Sequence, residues 1–95
     1  MIERHLTFDV LPDQTDAFER FFTVSYGPTM AQAPGFVRVE LLREAESATR
    51  YQMVLRFEDA DSAVAWRTAD AHTALQPALN AMHTGMAAQG YDVIA

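Results

Sequence analysis

The 95-residue sequence contains no cysteine, which excludes disulfides, thiolate nucleophiles and cysteine metal sites. It also has no basic run, and thirteen acidic residues outnumber seven basic ones to give a formal net charge of −6. Because an acidic surface repels phosphate backbones, we expect no nucleic-acid partner. No stretch approaches the roughly 18 apolar residues of a membrane span, and the charged, alternating first residues differ from a signal peptide. We therefore expect a cytoplasmic protein with no membrane partner.

Length and composition predict one domain over residues 1–95. The hydrophobic content of 49% and the aromatic content of 11% are generous for so short a chain. This apolar surface either fills the core, contacts a second copy or lines a ligand pocket. There is no Gly-rich phosphate loop, and the three histidines lack His-x-x-x-His or His-x-His spacing. We therefore expect neither a cofactor nor a metal.

The first third of the chain predicts a strand followed by an aromatic-rich helix. Residues 2–10 alternate with a period of two, which indicates a half-buried strand. Phenylalanines at helical spacing then predict a helix from about Gln14 to Tyr26, which Gly27-Pro28 should break or kink. One side of the strand carries Ile2, Arg4, Leu6, Phe8 and Val10.

Two further strands are expected, from Phe36 to Glu44 and from Arg50 to Glu58, joined by a short polar hairpin link. The strand from Phe36 has apolar residues at both parities. An open sheet with two apolar faces needs a second layer, and a second subunit is the simplest source, so the pattern predicts a homodimer. The two parities hold Val37, Val39 and Leu41 on one face and Phe36 and Leu42 on the other.

The last third predicts a helical region in two parts and a final strand. Asp59 or Asp61 can cap a helix that runs to about Ala69. Because Pro77 is disfavoured inside a helix, we place a fresh helix start between Thr73 and Gln76. Its apolar stripe is Leu75, Leu79, Met82 and Met86, which places His83 on an exposed face. Gly90 ends this helix, and Tyr91 to Ala95 forms the last strand. The order β-α-β-β-α-β, with the second helical region split, is typical of an α+β ferredoxin-like fold with a four-stranded antiparallel sheet.

Several short motifs in this order resemble the antibiotic biosynthesis monooxygenase family. Ala33-Pro34-Gly35-Phe36 resembles the family's turn into the second strand, and Arg56-Phe57-Glu58-Asp59-Ala60-Asp61 resembles its passage from the third strand into a helix. Ala65-Trp66 follows, with His72 six residues beyond the Trp. The resemblance implies a dimeric α/β barrel in which two sheets face each other, with a pocket in each subunit between sheet and helices.

The resemblance also implies a cofactor-independent monooxygenase that acts on a small aromatic such as a hydroquinone or polyketide-like phenol. Family members of this kind carry an Asn and a Tyr where this chain has Ser62 and His72. The haem-degrading branch has an Asn on its first strand, which is absent here. Three alternatives stay open: a non-catalytic or stress-related dimer that binds a small apolar ligand, a lactone isomerase or cyclase, and a haem-degrading enzyme.

Two residues are the candidates for chemistry. Trp66 can stack on a flat substrate and donate a hydrogen bond, or it can fill a gap between helix and sheet. His72 can take a proton from a phenol, or it can be a capping or surface residue. The remaining candidates, for which ordinary core packing is the alternative, are Phe21, Phe22, Tyr26, Met30, Tyr51, Ser62, Met82 and Met86, with His5 facing either the pocket or the dimer seam.

Overall fold

One antiparallel sheet contains β1 (Ile2–Val10), β2 (Phe36–Arg43), β3 (Arg50–Phe57) and β4 (His83–Asp92). The computed structural model describes residues 1–95 and gives the strand order β2-β3-β1-β4. Helices cover one face of this sheet, and none of them is long and apolar enough to cross a membrane. The architecture confirms the predicted ferredoxin-like α+β fold, including the division of the second helical region.

The first helical region runs without interruption to Met30. Helix α1 (Thr15–Phe21) passes into a π-helical turn (Phe22–Tyr26) and then into α2 (Gly27–Met30). The amide of Gly27 donates to the carbonyl of Phe22, five residues earlier. Pro28 then occupies the first turn of α2, where a missing amide donor is tolerated. The expected break or kink at Gly27-Pro28 takes the form of this π-helical turn, which ends just before Gly27 and accommodates the proline.

The second helical region consists of α3 (Ala60–Thr68) and α4 (Asp70–Asn80). The carboxylate of Asp59 caps α3, since its Oδ1 accepts a hydrogen bond from the Ser62 amide at 2.7 Å. The two helices are separated at Ala69, whose backbone is extended at φ −68° and ψ 145°. The predicted helix start between Thr73 and Gln76 is wrong, because Pro77 lies inside α4 on its exposed side.

The last strand is longer than the sequence pattern indicated. Helix α4 ends at Asn80, and β4 pairs with β1 along almost its whole length, with Met86 opposite Phe8. The predicted helical stripe through Met86 and the short strand from Tyr91 to Ala95 are therefore wrong. His83 is also half-buried on β4, and its ring contacts Phe8 at a centroid distance of 5.1 Å. Pairing with a distant strand overrides the local helical pattern.

The core lies between the sheet and the helices. At its centre, the Phe18 ring contacts Phe8 and Tyr51 at centroid distances of 5.5 and 5.1 Å. These buried aromatic contacts fix the first helical region against the middle of the sheet. The full buried cluster is Phe8, Val10, Phe18, Tyr26, Met30, Tyr51, Met53, Leu55, Phe57, Ala63, Trp66, Leu79 and Met82.

A bulge in β2 changes which face its apolar residues occupy. Phe36 pairs with Phe57 and Arg38 with Arg56, which leaves Val37 as the extra, exposed residue. Phe36 therefore packs on the same core as Val39 and Leu41. The expectation of two apolar sheet faces is therefore wrong, because most apolar residues of β2 face the core and only Val37 and Leu42 are exposed.

The other sheet face is largely polar and carries ion pairs. Arg56 donates two hydrogen bonds to Glu3, at 3.0 and 2.8 Å, and Arg50 pairs with Asp9 at 2.9 Å. The exposed Leu42 adds an apolar patch on this face. No helix covers it, and we call it the uncovered face.

Candidate functional site

A cavity of about 290 Å³ lies between the sheet and the helices. Strands β1 and β3 form its floor, and α3, α4 and the π-helical turn form its walls. Most of its lining is apolar, with a few polar groups, which is typical of a small-molecule site. The lining residues are Arg4, Leu6, Phe8, Tyr26, Leu55, Phe57, Ala63, Trp66, Arg67, His72, Gln76, Leu79 and Met86.

Trp66 and His72 meet in this cavity because the helical region breaks between them. Trp66 lies in the second turn of α3 and His72 in the first turn of α4, on either side of the extended Ala69. Their ring centroids are 5.1 Å apart, at an interplanar angle of 79°. The Trp66 side chain is 4% exposed and also contacts Tyr26 edge to face at 6.0 Å. An aromatic corner of three rings thus forms one end of the cavity.

The His72 imidazole is held in a half-buried position. Its Nε2 lies 3.1 Å from Nε2 of Gln76, one helical turn later. Burial is the main cause that lowers the pKa of His72 from its ordinary value, and the charge of Arg4 acts in the same direction. The backbone carbonyl of Arg67 opposes this shift by accepting a hydrogen bond from the ring. The imidazole is therefore mainly neutral at pH 7, and the lone pair of its unprotonated nitrogen can accept a proton.

Tyr26 stays protonated over the whole physiological range. Burial raises the pKa of Tyr26 to about 12, although the Trp66 hydrogen bond and the Arg4 charge oppose the shift. A phenol with this pKa can donate or accept a hydrogen bond but is not a base near neutrality. His72 is accordingly the one cavity side chain that is suited to accept a proton at pH 7.

Two arginines, Arg4 and Arg67, are the charged residues of the lining, and no Asp or Glu joins them. Sequence reasoning passed over both, and it passed over Gln76. A signal existed for Arg4, because it is the single charged residue on the otherwise apolar side of the first strand. Gln76 follows His72 by four residues, the spacing at which helical side chains meet.

Four of the sequence-proposed site residues line the cavity: Trp66, His72, Tyr26 and Met86. Three others belong to neighbouring packing. Met30 and Met82 are buried in the core, and Tyr51 donates a hydrogen bond to Glu19 at 2.5 Å on the far side of α1. Burial, followed by this contact with a carboxylate, raises the pKa of Tyr51.

The remaining proposed residues also lie outside the lining. Phe21 and Phe22 are half-buried against the core at the end of α1 and the start of the π-helical turn. His5 lies on the uncovered face, with its Nε2 2.9 Å from Glu3 and its ring against Tyr91. Ser62 packs against the turn at Gly35. No three His, Asp or Glu side chains are arranged to hold a metal ion.

The sequence profile described as antibiotic biosynthesis monooxygenase matches residues 1–78 of the chain. Among curated proteins, none matches significantly.

Several solved structures share the fold. SnoaB, a cofactor-independent oxygenase from Streptomyces nogalater solved as its N63A mutant, is 24% identical, with 97% of this chain and 91% of SnoaB covered and a TM-score of 0.85. A candidate antibiotic biosynthesis monooxygenase from Nitrosomonas europaea is 18% identical over the full length of both chains, with a TM-score of 0.88. A similar candidate from Caulobacter crescentus is 20% identical, with 99% of this chain and 90% of that chain covered and a TM-score of 0.88.

Proposed function

Because the chain belongs to the antibiotic biosynthesis monooxygenase family, we propose that it oxidises a small aromatic, a hydroquinone or polyketide-like phenol, with O2 and without a cofactor. The observation that carries this proposal is the joint position of His72 and Trp66 in one largely apolar cavity. A proton acceptor and a stacking surface are the two groups that such a reaction needs from the protein.

Substrate binding relies on the aromatic corner and the apolar floor. The Trp66 and Tyr26 rings present edges and faces to a flat molecule, and Leu6 and Leu55 lie on the strands beneath it. Aromatic contacts of this kind favour ring systems over flexible chains. Water is displaced as the ring enters, which strengthens the electrostatic interactions inside the cavity.

His72 serves as the general base. We assign the ring proton of His72 to Nδ1 and the lone pair to Nε2, which the Gln76 side chain contacts at 3.1 Å. The phenol hydroxyl then replaces the Gln76 amide at Nε2 and transfers its proton there. The lowered pKa of His72 keeps this nitrogen unprotonated at neutral pH.

The resulting substrate anion reacts with O2 directly. It passes one electron to O2, and the superoxide and substrate radical combine to form a peroxide at the ring carbon. Loss of water from that peroxide leaves one oxygen atom on the product as a carbonyl and places the other in water. His72 returns its proton to the peroxide, and the ring carbon gives up the second hydrogen of the water. The substrate thus supplies both hydrogens and all four electrons that O2 accepts, so no external reductant is consumed.

Oxygen uptake with a panel of quinols and anthrones tests the assignment. We expect His72→Ala to lower the rate by about 10²- to 10⁴-fold, since a positioned base contributes that much. Thr73→Ala is the matched control, because Thr73 is exposed on the same helix and does not line the cavity, and it should match the parent. Trp66→Phe is preferred to Trp66→Ala, which would leave a large hole in the core.

The assignment is wrong if His72→Ala oxidises the panel as fast as the parent. Saturable binding without oxygen uptake would instead identify a ligand-binding protein. Turnover under anaerobic conditions would indicate an isomerase or cyclase.

We also propose that the chain forms a homodimer through the uncovered face and works in the cytoplasm. The proposal is supported by a sheet face that no helix covers, where Leu42 is 45% exposed and Tyr91 is 48% exposed. Because the ion pairs on this face are already formed within the chain, a second copy can cover them without leaving these charges unpaired. Sedimentation equilibrium should give twice the chain mass, whereas Leu42→Glu should shift the protein to the monomer. A parent protein that remains monomeric at about 100 µM would contradict the proposal.

A further inference from the structure

Arg4 places a positive charge in the floor of the cavity. It lies on β1 between Leu55 of β3 and Gly90 of β4 in the register, on the same side of the strand as Leu6 and Phe8. The side chain is half-buried, and Gly90 offers no side chain beside it. The guanidinium therefore has room to project toward the helices and into the cavity that it lines.

No carboxylate of the chain neutralises Arg4. All seven basic residues are arginines, and four of them form salt bridges elsewhere. Neither Arg4 nor Arg67 is in a salt bridge, and the cavity lining contains no Asp or Glu. Two unpaired cations thus share one pocket in a chain of net charge −6.

This arrangement is unfavourable for the protein alone. Burial is the main cause that lowers the pKa of Arg4, and the charge of Arg67 acts in the same direction. A half-buried cation without a partner costs free energy that an apolar residue at the same position would not. Because the other core-facing positions of β1 are apolar, local folding rules do not account for an arginine there.

We infer that the substrate carries a carboxylate that binds Arg4, and that Arg67 assists at the cavity wall. This inference rests on the proposed function, since it assigns a chemical class to the ligand of the same cavity. The planar guanidinium matches the two oxygens of a carboxylate, so a bidentate pair sets the orientation of the attached ring. With the carboxylate on the sheet floor, the ring extends toward Trp66 and His72.

Isothermal titration calorimetry with two matched ligands tests the inference without any turnover. The probes are 2-naphthoate and 2-naphthamide, which share a ring system and differ in charge. The parent should bind 2-naphthoate at least about tenfold more tightly, the difference expected for a charge-assisted pair. Arg4→Met should remove that preference and leave 2-naphthamide binding unchanged.

Three variants make the test specific. Arg20→Met is the matched control, because Arg20 lies on α1 away from the cavity and forms no salt bridge, and it should keep the full preference. Arg67→Met should reduce the preference less than Arg4→Met, because Arg67 is more exposed. Arg4→Gln serves if Arg4→Met unfolds, and thermal melting of every variant verifies the fold.

Equal binding of the two ligands by the parent overturns the inference, as does an Arg4→Met protein that still prefers the carboxylate. One form of the first outcome is informative: the parent shows no preference, and Arg4→Met oxidises an uncharged anthrone more slowly than the parent does. That result would assign Arg4 to the phenolate formed during turnover. If the preference is present but no oxygen is consumed, the carboxylate site stands and the monooxygenase proposal fails.

Discussion

The His72 and Gln76 side chains lie one helical turn apart on α4, with their Nε2 atoms 3.1 Å from each other. This contact positions the imidazole beside Trp66, on the wall of the cavity. In the proposed reaction the phenol displaces the Gln76 amide from Nε2, so this contact holds the base in place before the substrate binds. A substitution at Gln76 can therefore change the pKa of the proposed base.

Gln76→Glu should move the pH dependence of the reaction. The parent needs neutral His72, so kcat/KM should fall as the pH drops below the lowered pKa of this residue. A carboxylate beside the imidazole stabilises the protonated ring and raises that pKa, by about one unit or more. The acid limb of the kcat/KM profile should move to higher pH by the same amount.

The matched control for this change is Gln32→Glu, which adds the same charge at an exposed position outside the cavity lining. Its profile should follow the parent. NMR titration of the His72 ring gives the pKa independently of turnover. An acid limb that Gln76→Glu leaves in place would show that another group titrates.

Tyr26→Phe should leave the pH profile unchanged. With a pKa of about 12, Tyr26 remains protonated at every practical assay pH and contributes no ionisation. Loss of its buried hydroxyl should change the free energy of unfolding by no more than about 1 kcal/mol. Urea unfolding and kcat/KM measured across the pH range check both statements. An alkaline limb that is present in the parent and absent in Tyr26→Phe would contradict the claim that Tyr26 does not ionise. Tyr91→Phe, at an exposed tyrosine, is the control.

Gly35→Ala should destabilise the fold by at least about 2 kcal/mol. Gly35 has φ +78°, which L side chains rarely adopt, and an added Cβ would overlap Oγ of Ser62. Gly90→Ala is the control, because nothing lies within 4 Å of a Cβ there, and it should change stability by less than about 1 kcal/mol. Chemical unfolding of the two variants gives the comparison. Equal stability would mean that the turn before β2 adjusts without cost.

His83→Leu should stabilise the protein most strongly in acid. Nδ1 of His83 is buried without a hydrogen-bond partner, and burial lowers its pKa from the ordinary 6.5. As the pH falls through 6.5, the unfolded chain binds a proton that the folded chain still lacks, so parent stability declines until the folded pKa is passed. The variant has no group that titrates at this position. Its free energy of unfolding in urea should therefore exceed that of the parent by an amount that grows from about pH 7.5 to about pH 5.

His83→Phe removes the same titrating group and should show the same trend with pH. A stability difference that is constant over the pH range would show that the His83 pKa is the same in the folded and unfolded chains.

The sequence alone determined the order of elements and several local features. Alternation over residues 2–10 predicted the first strand, and Asp59 or Asp61 predicted a capped start for α3, because both signals act between neighbours in the chain. The structure selects Asp59 as the cap. The motif series around Pro34-Gly35 and Trp66 indicated the family, which the profile match over residues 1–78 confirms. These are short-range patterns, and short-range forces suffice to explain them.

Tertiary structure decided the rest, because the remaining features depend on groups far apart in the chain. Strand β4 begins at His83 because β1 supplies its hydrogen-bond partners, and a bulge at Val37 sets which face of β2 is apolar. Ser62 meets the Gly35 turn instead of a ligand. Arg4 became a site residue only when the packed helices enclosed a cavity above it. Periodicity shows which side of a strand a residue occupies, but only the assembled layers show what that side faces.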